Sequence, residues 1–190
     1  MWANTPSWRS SLRRALLAAA LVLAAPATAL ANAGAAPPLP NSVQAIAPNL
    51  TAKGGGLLTF LGIAVYDGWY WTSARGWPAD GPYALDLVYH RDLDGGKIAQ
   101  RSVDEIAKLG YGTPEQRARW GSLLAAILPD VRKGDRLTGV HMPDGSVRYF
   151  HNGRPIGEVA EPGFARAFFG IWLDPSTSRA DFRQKLLGER

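Results

Sequence analysis

The sequence contains no cysteine. Disulfides, thiolate metal sites and cysteine nucleophiles are thereby excluded together, and a core of side chains alone must hold the fold. Long runs of one charge are missing as well. There is no basic stripe with interleaved aromatics of the kind that tracks phosphates, so no nucleic-acid partner is expected. The net charge is +5, but Arg9, Arg13 and Arg14 carry three of those charges in the opening segment "MWANTPSWRSSLRRALLAAALVLAAPATALANA". That segment reads as a secretory signal: the arginines form a positive n-region, Ala15 to Ala25 is apolar, and "ATALA" ends in a small-x-small cleavage pattern. The apolar run falls short of the roughly 20 residues that cross a bilayer, which disfavours the alternative of an uncleaved anchor. Residues 1–31 are therefore expected to be a signal peptide cut near Ala31 or Ala33. "SLRRALL" lacks the fuller context of a twin-arginine signal, so export is expected to leave the protein periplasmic or secreted with no stable membrane span. Losing those three charges brings the net charge to +2, further weakening any case for nucleic acid.

What remains is enough for one domain burying about two-thirds of its unfolded surface. Residues 32–41, with "AGAAPPLPN", form a polyproline-prone lead-in, and residues 42–188 form the domain. "SVQAIAPNLT" (42–51) has weak period-2 character with Pro48 inside it and reads as an edge strand at best. Gly54, Gly55 and Gly56 read as a flexible turn, since no Lys-Ser/Thr pair follows as a phosphate loop requires. Leu57 to Thr72, "LLTFLGIAVYDGWYWT", is rich in β-branched and aromatic residues and predicts a strand covered on both faces. "YALDLVYHRDL" alternates and predicts a strand with one wet face.

Two helices follow. "GKIAQRSVDEIAKLG" gathers Ile98, Val103 and Ile106 near one face and stops at Gly110. In "TPEQRARWGSLLAAILPD", Thr113, Pro114 and Gln116 form a capping box ahead of an apolar face of Trp120, Leu123, Leu124, Ile127 and Leu128. Turn signals at Asp144-Gly145 and Asn152-Gly153 divide three short strands, Leu137 to Met142, Val147 to His151 and Pro155 to Val159. "EPGFARAFFGIWL" and "STSRADFRQKLLG" close the chain as helices, the second with Ser178 as N-cap and Gly188 as its stop. The whole reads as α+β with a largely antiparallel sheet.

Motifs for chemistry are sparse. His90, His141 and His151 show no ligand spacing, so neither a metal nor another cofactor is expected. "DLDGG" opens like a calcium loop but has Val103 where the bidentate Glu belongs. No G-x-S-x-G elbow is present. Asp104 and Glu105, adjacent on a helix, point away from each other and make no acid/base pair. The conspicuous feature is aromatic density: Trp69, Tyr70, Trp71 and Trp77 in one region, Phe168, Phe169 and Trp172 in another. Core is the ordinary use of such residues; a long apolar pocket between sheet and helices is the alternative.

"GLLTFLGIAVYDGWYW", "YALDLVYHRDLDGGKIAQRSVDEIAKLG" and "GDRLTGVHMPDGSVRYFHNGRPIGEVAEPGFARAFFGIWLDPSTSRADFRQKLLG" together resemble the bacterial chalcone isomerase-like family, from about Ser42 to Gly188. The resemblance implies an open-faced sandwich, a curved, largely antiparallel sheet carrying a helical layer with a ligand cleft between, shared with plant chalcone isomerases and plant fatty-acid-binding proteins. It also implies where the plant isomerases keep their catalytic groups. Their arginine would fall in "APNLTAKGGGLL", where Lys53 is the only cation. Their threonine would fall on Leu61, and their tyrosine and asparagine on Ile98 and Glu105. Losing one oxyanion donor typically costs about 100-fold in rate, so true chalcone isomerase activity is not expected and no catalytic residue is assigned.

Three functions follow as expectations. The first is non-catalytic binding of a small apolar or carboxylate-bearing ligand such as a fatty acid, with Phe60, Gly62 and Tyr66 on one strand face, Arg101 as carboxylate partner and Glu105 nearby. The second is an isomerase, or intramolecular lyase, with a rebuilt site, in which burial raises Glu105 toward neutrality and makes it a general acid or base. The third is a structural or protein-interaction module, with the cleft filled by aromatic side chains.

Overall fold

The computed structural model describes residues 36–189; the expected signal peptide lies outside them. α1 (Asn41–Ile46) comes first, followed by the hairpin β1 (Thr51–Phe60) and β2 (Ile63–Thr72), then β3 (Tyr83–Tyr89). α2 (Gly95–Lys108) and α3 (Pro114–Ile127) are inserted before β4 (Arg136–His141), β5 (Val147–His151) and β6 (Arg154–Val159), and α4 (Phe164–Leu173) and α5 (Ala180–Leu187) close the chain. The six strands hydrogen-bond in sequence order, every neighbouring pair antiparallel. Among the described residues, no helix is long and apolar enough to cross a membrane.

Local chemistry explains most element ends. Asp94 caps α2 by accepting from the Lys97 backbone N–H at 2.8 Å, and the Thr113/Gln116 capping box closes the start of α3 with both of its hydrogen bonds formed. Each such cap contributes about 1 kcal/mol. Gly188, at φ 66°, ends α5.

Register sorts the strands into two faces. Tyr70, Leu85, Gly139 and Tyr149 are cross-strand partners in one row, Thr72, Tyr83, His141 and Val147 in another, and both rows face the α2/α4/α5 layer. The main core forms there, including Ile106 of α2, Leu124 of α3, Phe169 and Leu173 of α4 and Phe182 of α5. The opposite face carries Trp71, Ala84, Val140 and Phe150, covered by Leu39, Val43 and Ala47 in a second apolar cluster.

Five local expectations are corrected here. Residues 42–51 are not an edge strand: Val43 and Ala47 are a turn apart and both bury against the outer face, so helix α1 satisfies the backbone where an edge strand would have left it unpaired. Leu57 to Thr72 is not one strand but a hairpin that reverses at Leu61-Gly62, with φ of 49° and 77°. The glycines at 54–56 lie inside β1, not in a turn. A Cβ at Gly54 would stand 2.2 Å from the Lys185 carbonyl oxygen, so glycine is what lets α5 lie against the strand. β3 has no wet face, because Asp86 is wholly buried against Arg136 and Thr138. Finally, Ser178 does not cap α5; its hydroxyl donates to Glu105 at 2.8 Å instead.

Candidate functional site

Between the sheet and the helices lies a cavity of about 580 Å³, within the roughly 300–1,000 Å³ usual for small-molecule sites. Its walls come from the inner sheet rows and from facing turns of α2 and α4. Leu85, Leu87, Leu137, Tyr149, Phe168 and Ile171 make an apolar interior. Room exists because Gly139 stands in the middle of the inner face without a side chain, beside Phe168 and Tyr149. The aromatic density thus serves both purposes: Tyr70 and Phe169 are sealed into core, while Phe168 and Trp172 reach the cavity wall.

Most of the charged groups in the lining come from α2. Five cations line the cavity, Arg91, Lys97, Arg101, Lys108 and Arg179, against the single carboxylate of Glu105. Helical spacing places Lys97, Arg101, Glu105 and Lys108 along one side of α2. Arg101 Nη2 lies 2.6 Å and Lys108 Nζ 2.9 Å from the same oxygen, Glu105 Oε1. Burial would push the Glu105 carboxyl up, but the hydrogen bonds from Lys108 and Ser178 and the charge of Arg101 outweigh it and hold the carboxyl below its usual range. Arg179 donates to the Thr59 carbonyl at 2.8 Å and pairs with Asp181. Arg91 and Lys97 have no carboxylate partner among the described residues.

Tyr66 adds a hydroxyl to the lining. Its hydroxyl accepts a hydrogen bond from Trp172 Nε1 at 2.8 Å, which leaves its own proton to donate. Burial pushes its pKa up to about 12, with the Trp172 bond and the charges of Arg179 and Arg101 partly opposing the rise. It is therefore a neutral donor at any physiological pH. Tyr89 packs edge-on against it, ring centroids 5.6 Å apart, and also lines the cavity.

Of the residues expected at the site, Phe60, Tyr66, Arg101 and Glu105 all line the cavity. Gly62 does not. It sits in the β1–β2 turn with nothing within 4 Å of where its Cβ would be, because the reversal at residue 61 breaks the alternation that had placed it beside Phe60 and Tyr66. Arg101 is already engaged by the carboxylate of Glu105. Glu105 itself is an ion-paired, ionised carboxylate, not a neutralised acid near its working range. Of the positions corresponding to plant catalytic groups, Leu61 projects from the turn and lines no cavity, whereas Ile98 and Glu105 face in. Sequence reasoning missed Arg91, Lys97, Lys108 and Arg179. The first two were legible as cations bracketing the "DLDGG" turn; Arg179 reaches the site only through the packing of the segment before α5.

Comparison with known proteins bears on the family and the fold. Residues 33–188 match the family described as chalcone isomerase-like. A protein of Haemophilus influenzae, described only as uncharacterized, is 26% identical over 108 residues, 57% of this chain and 52% of the relative, so the match spans about half the relative's length. Among solved structures, a fatty-acid binding protein of Arabidopsis thaliana superposes with a TM-score of 0.57 at 13% identity, covering 74% of this chain and 87% of the plant protein. At that identity the likeness establishes a shared fold.

Proposed function

Since the chain belongs to the chalcone isomerase-like family, we propose that it is an exported, non-catalytic member of that family that binds an apolar molecule ending in an anionic group, a fatty acid being the type. The observation that carries this reading is the make-up of one cavity, whose lining is largely apolar and holds five cations against one carboxylate. An amphiphilic anion is the molecule that matches both features. Its chain would displace water from the Leu85, Leu137 and Phe168 surfaces, where burial is worth about 25 cal/mol per Å². Its head would take the Tyr66 proton as a hydrogen bond and sit in the field of the unpaired Arg91 and Lys97. The fatty-acid binding of the plant structural relative supports the same ligand class. Binding is favoured over isomerisation because Leu61 stands outside the cavity and Glu105 is held ionised by its partners, leaving no acid poised near neutral pH.

Calorimetric titration with a long-chain saturated carboxylate, the alcohol of equal chain length and the matching amine tests this reading. The carboxylate is expected to bind tightest and the amine weakest. Protein that is empty by native mass spectrometry and binds none of the three overturns it.

A further inference from the structure

The described residues expose four large apolar side chains, and all four belong to one hairpin: Leu57 at 39%, Phe60 at 55%, Leu61 at 86% and Ile63 at 54%. Leu61 is the least expected of them. It occupies the first central position of the turn with φ 49°, followed by Gly62 at 77°, a left-handed pair that favours Asn-Gly or Asp-Gly. The β5–β6 hairpin of the same sheet has the same geometry, Asn152 at φ 50° and Gly153 at 78°, and uses Asn there. At Leu61 the chain accepts an unfavourable backbone conformation for a branched residue and then holds that residue out in water. Strain and exposure on one residue point to a contact made outside the chain.

The surroundings of the tip indicate what kind of contact. Arg101 lies over the Phe60 ring at 5.9 Å, and Arg179 donates to the Thr59 carbonyl, so two cations flank the turn directly. Lys97 and Lys108 extend the positive charge along α2, and Arg91 adds to it from the end of β3. Phe60 is both part of the tip and part of the cavity wall. Four apolar side chains on one hairpin cover far less than the roughly 800 Å² per partner of a stable protein interface. They suffice, with cations around them, for an interfacial membrane contact, which demands no shape complementarity.

We propose that the β1–β2 hairpin docks on an anionic lipid bilayer, with Leu61 and Ile63 entering the headgroup boundary and the surrounding cations resting on lipid phosphates. Docking brings the cavity mouth against the bilayer, so that an amphiphile can pass between membrane and cavity without crossing water. The passage rests on the ligand proposed above; the docking does not.

Both apolar clusters and the whole family match lie within residues 33–190, so a chain of that span is used for the test. It is floated with vesicles of phosphatidylcholine alone or of equal parts phosphatidylcholine and phosphatidylglycerol, with no ligand added. Binding is expected on the mixed vesicles, weaker in high salt, and reduced by roughly tenfold or more both on phosphatidylcholine alone and in Leu61→Asn. Leu61→Asn suits the left-handed turn and lies outside the cavity, so it is expected to have at least wild-type thermal stability and an unchanged carboxylate titration. Absence of flotation on the mixed vesicles, or equal flotation of wild type and Leu61→Asn, overturns the proposal. So does a dimer in solution that Leu61→Asn dissociates, since the tip would then be covered by a second copy. The carboxylate titration of the same variant reads the cavity independently, so failure of docking and failure of the ligand reading are distinguishable.

Discussion

Gly62 and Glu105 show how much a residue's meaning depends on its backbone setting. Gly62 has φ 77° and open space where a Cβ would go, so a branched side chain there meets no neighbour but does meet the left-handed penalty of about 1–2 kcal/mol. Gly62→Val is accordingly expected to lower stability by about that amount in urea unfolding while leaving carboxylate affinity unchanged; a wild-type midpoint with lost affinity would place the residue in the cavity after all. Glu105 makes a pH prediction. Its folded carboxyl is held below its usual range, where burial is outweighed by Lys108, Ser178 and Arg101, so the ionised form is favoured by folding. The sign follows: this stabilisation is complete above the unfolded value of about 4.3 and is lost as the pH falls through the lower folded value. Urea midpoints of wild type and Glu105→Gln should differ most above about pH 5 and converge in stronger acid. A difference that stays constant across that range would mean that the ion pairs contribute nothing.

Among the elements, β1 and β4 use glycine for opposite purposes. In β1, Gly54 admits the backbone of α5, and any side chain would collide with the Lys185 carbonyl. In β4, Gly139 leaves space: a Cβ would lie 3.4 Å from Phe168 Cε1 and 3.7 Å from Tyr149 Cε1, ordinary contact distances, and the methyls beyond it would enter the cavity. Gly139→Val also suits strand preference, which spans only about 1 kcal/mol in all. It is expected to unfold within about 1 kcal/mol of wild type and to bind the long-chain carboxylate roughly tenfold or more weakly. Gly68 of β2 provides the contrast, since its Cβ would stand 2.9 Å from Phe182 Cζ, within the packed core. There the same substitution should cost about 1–3 kcal/mol by overpacking. If Gly139→Val is destabilised like Gly68→Val, the space beside Gly139 is core and not a ligand site.

At the scale of the whole molecule, the sheet has two unlike sides. The inner side closes over the cavity; the outer side is sealed by α1 and the residues before it. Asp86, wholly buried in β3, is joined to that outer layer through Arg136, which pairs with it at 2.7 Å and also donates to the Pro38 carbonyl at 2.9 Å. A buried carboxylate in an alternating strand reads as a wet face in the sequence, because nothing local distinguishes a solvated Asp from one paired with a side chain 50 positions away.

The sequence alone determined the features that depend on neighbouring residues. Capping chemistry set α2 and α3, the Asp-Gly and Asn-Gly turns set β4 to β6, and together with the quoted motifs they carried the α+β architecture and the family resemblance. Of the residues expected at the site, Phe60, Tyr66, Arg101 and Glu105 line the cavity and Gly62 does not, although the unbroken strand alternation that had grouped Phe60 with Tyr66 is interrupted by the turn at residue 61. What only the tertiary structure decided is what distant segments do to one another. Lys185 explains Gly54 of β1, Ser178 is drawn from helix capping to Glu105, and Arg179 is carried into the lining of the cavity. The Leu61-Gly62 reversal escaped for a related reason: a leucine at a left-handed position carries no turn signature of its own, and only the pairing of β1 with β2 reveals it. Local propensity is written in adjacent residues, whereas burial, close approach and charge pairing arise once the chain has folded back on itself.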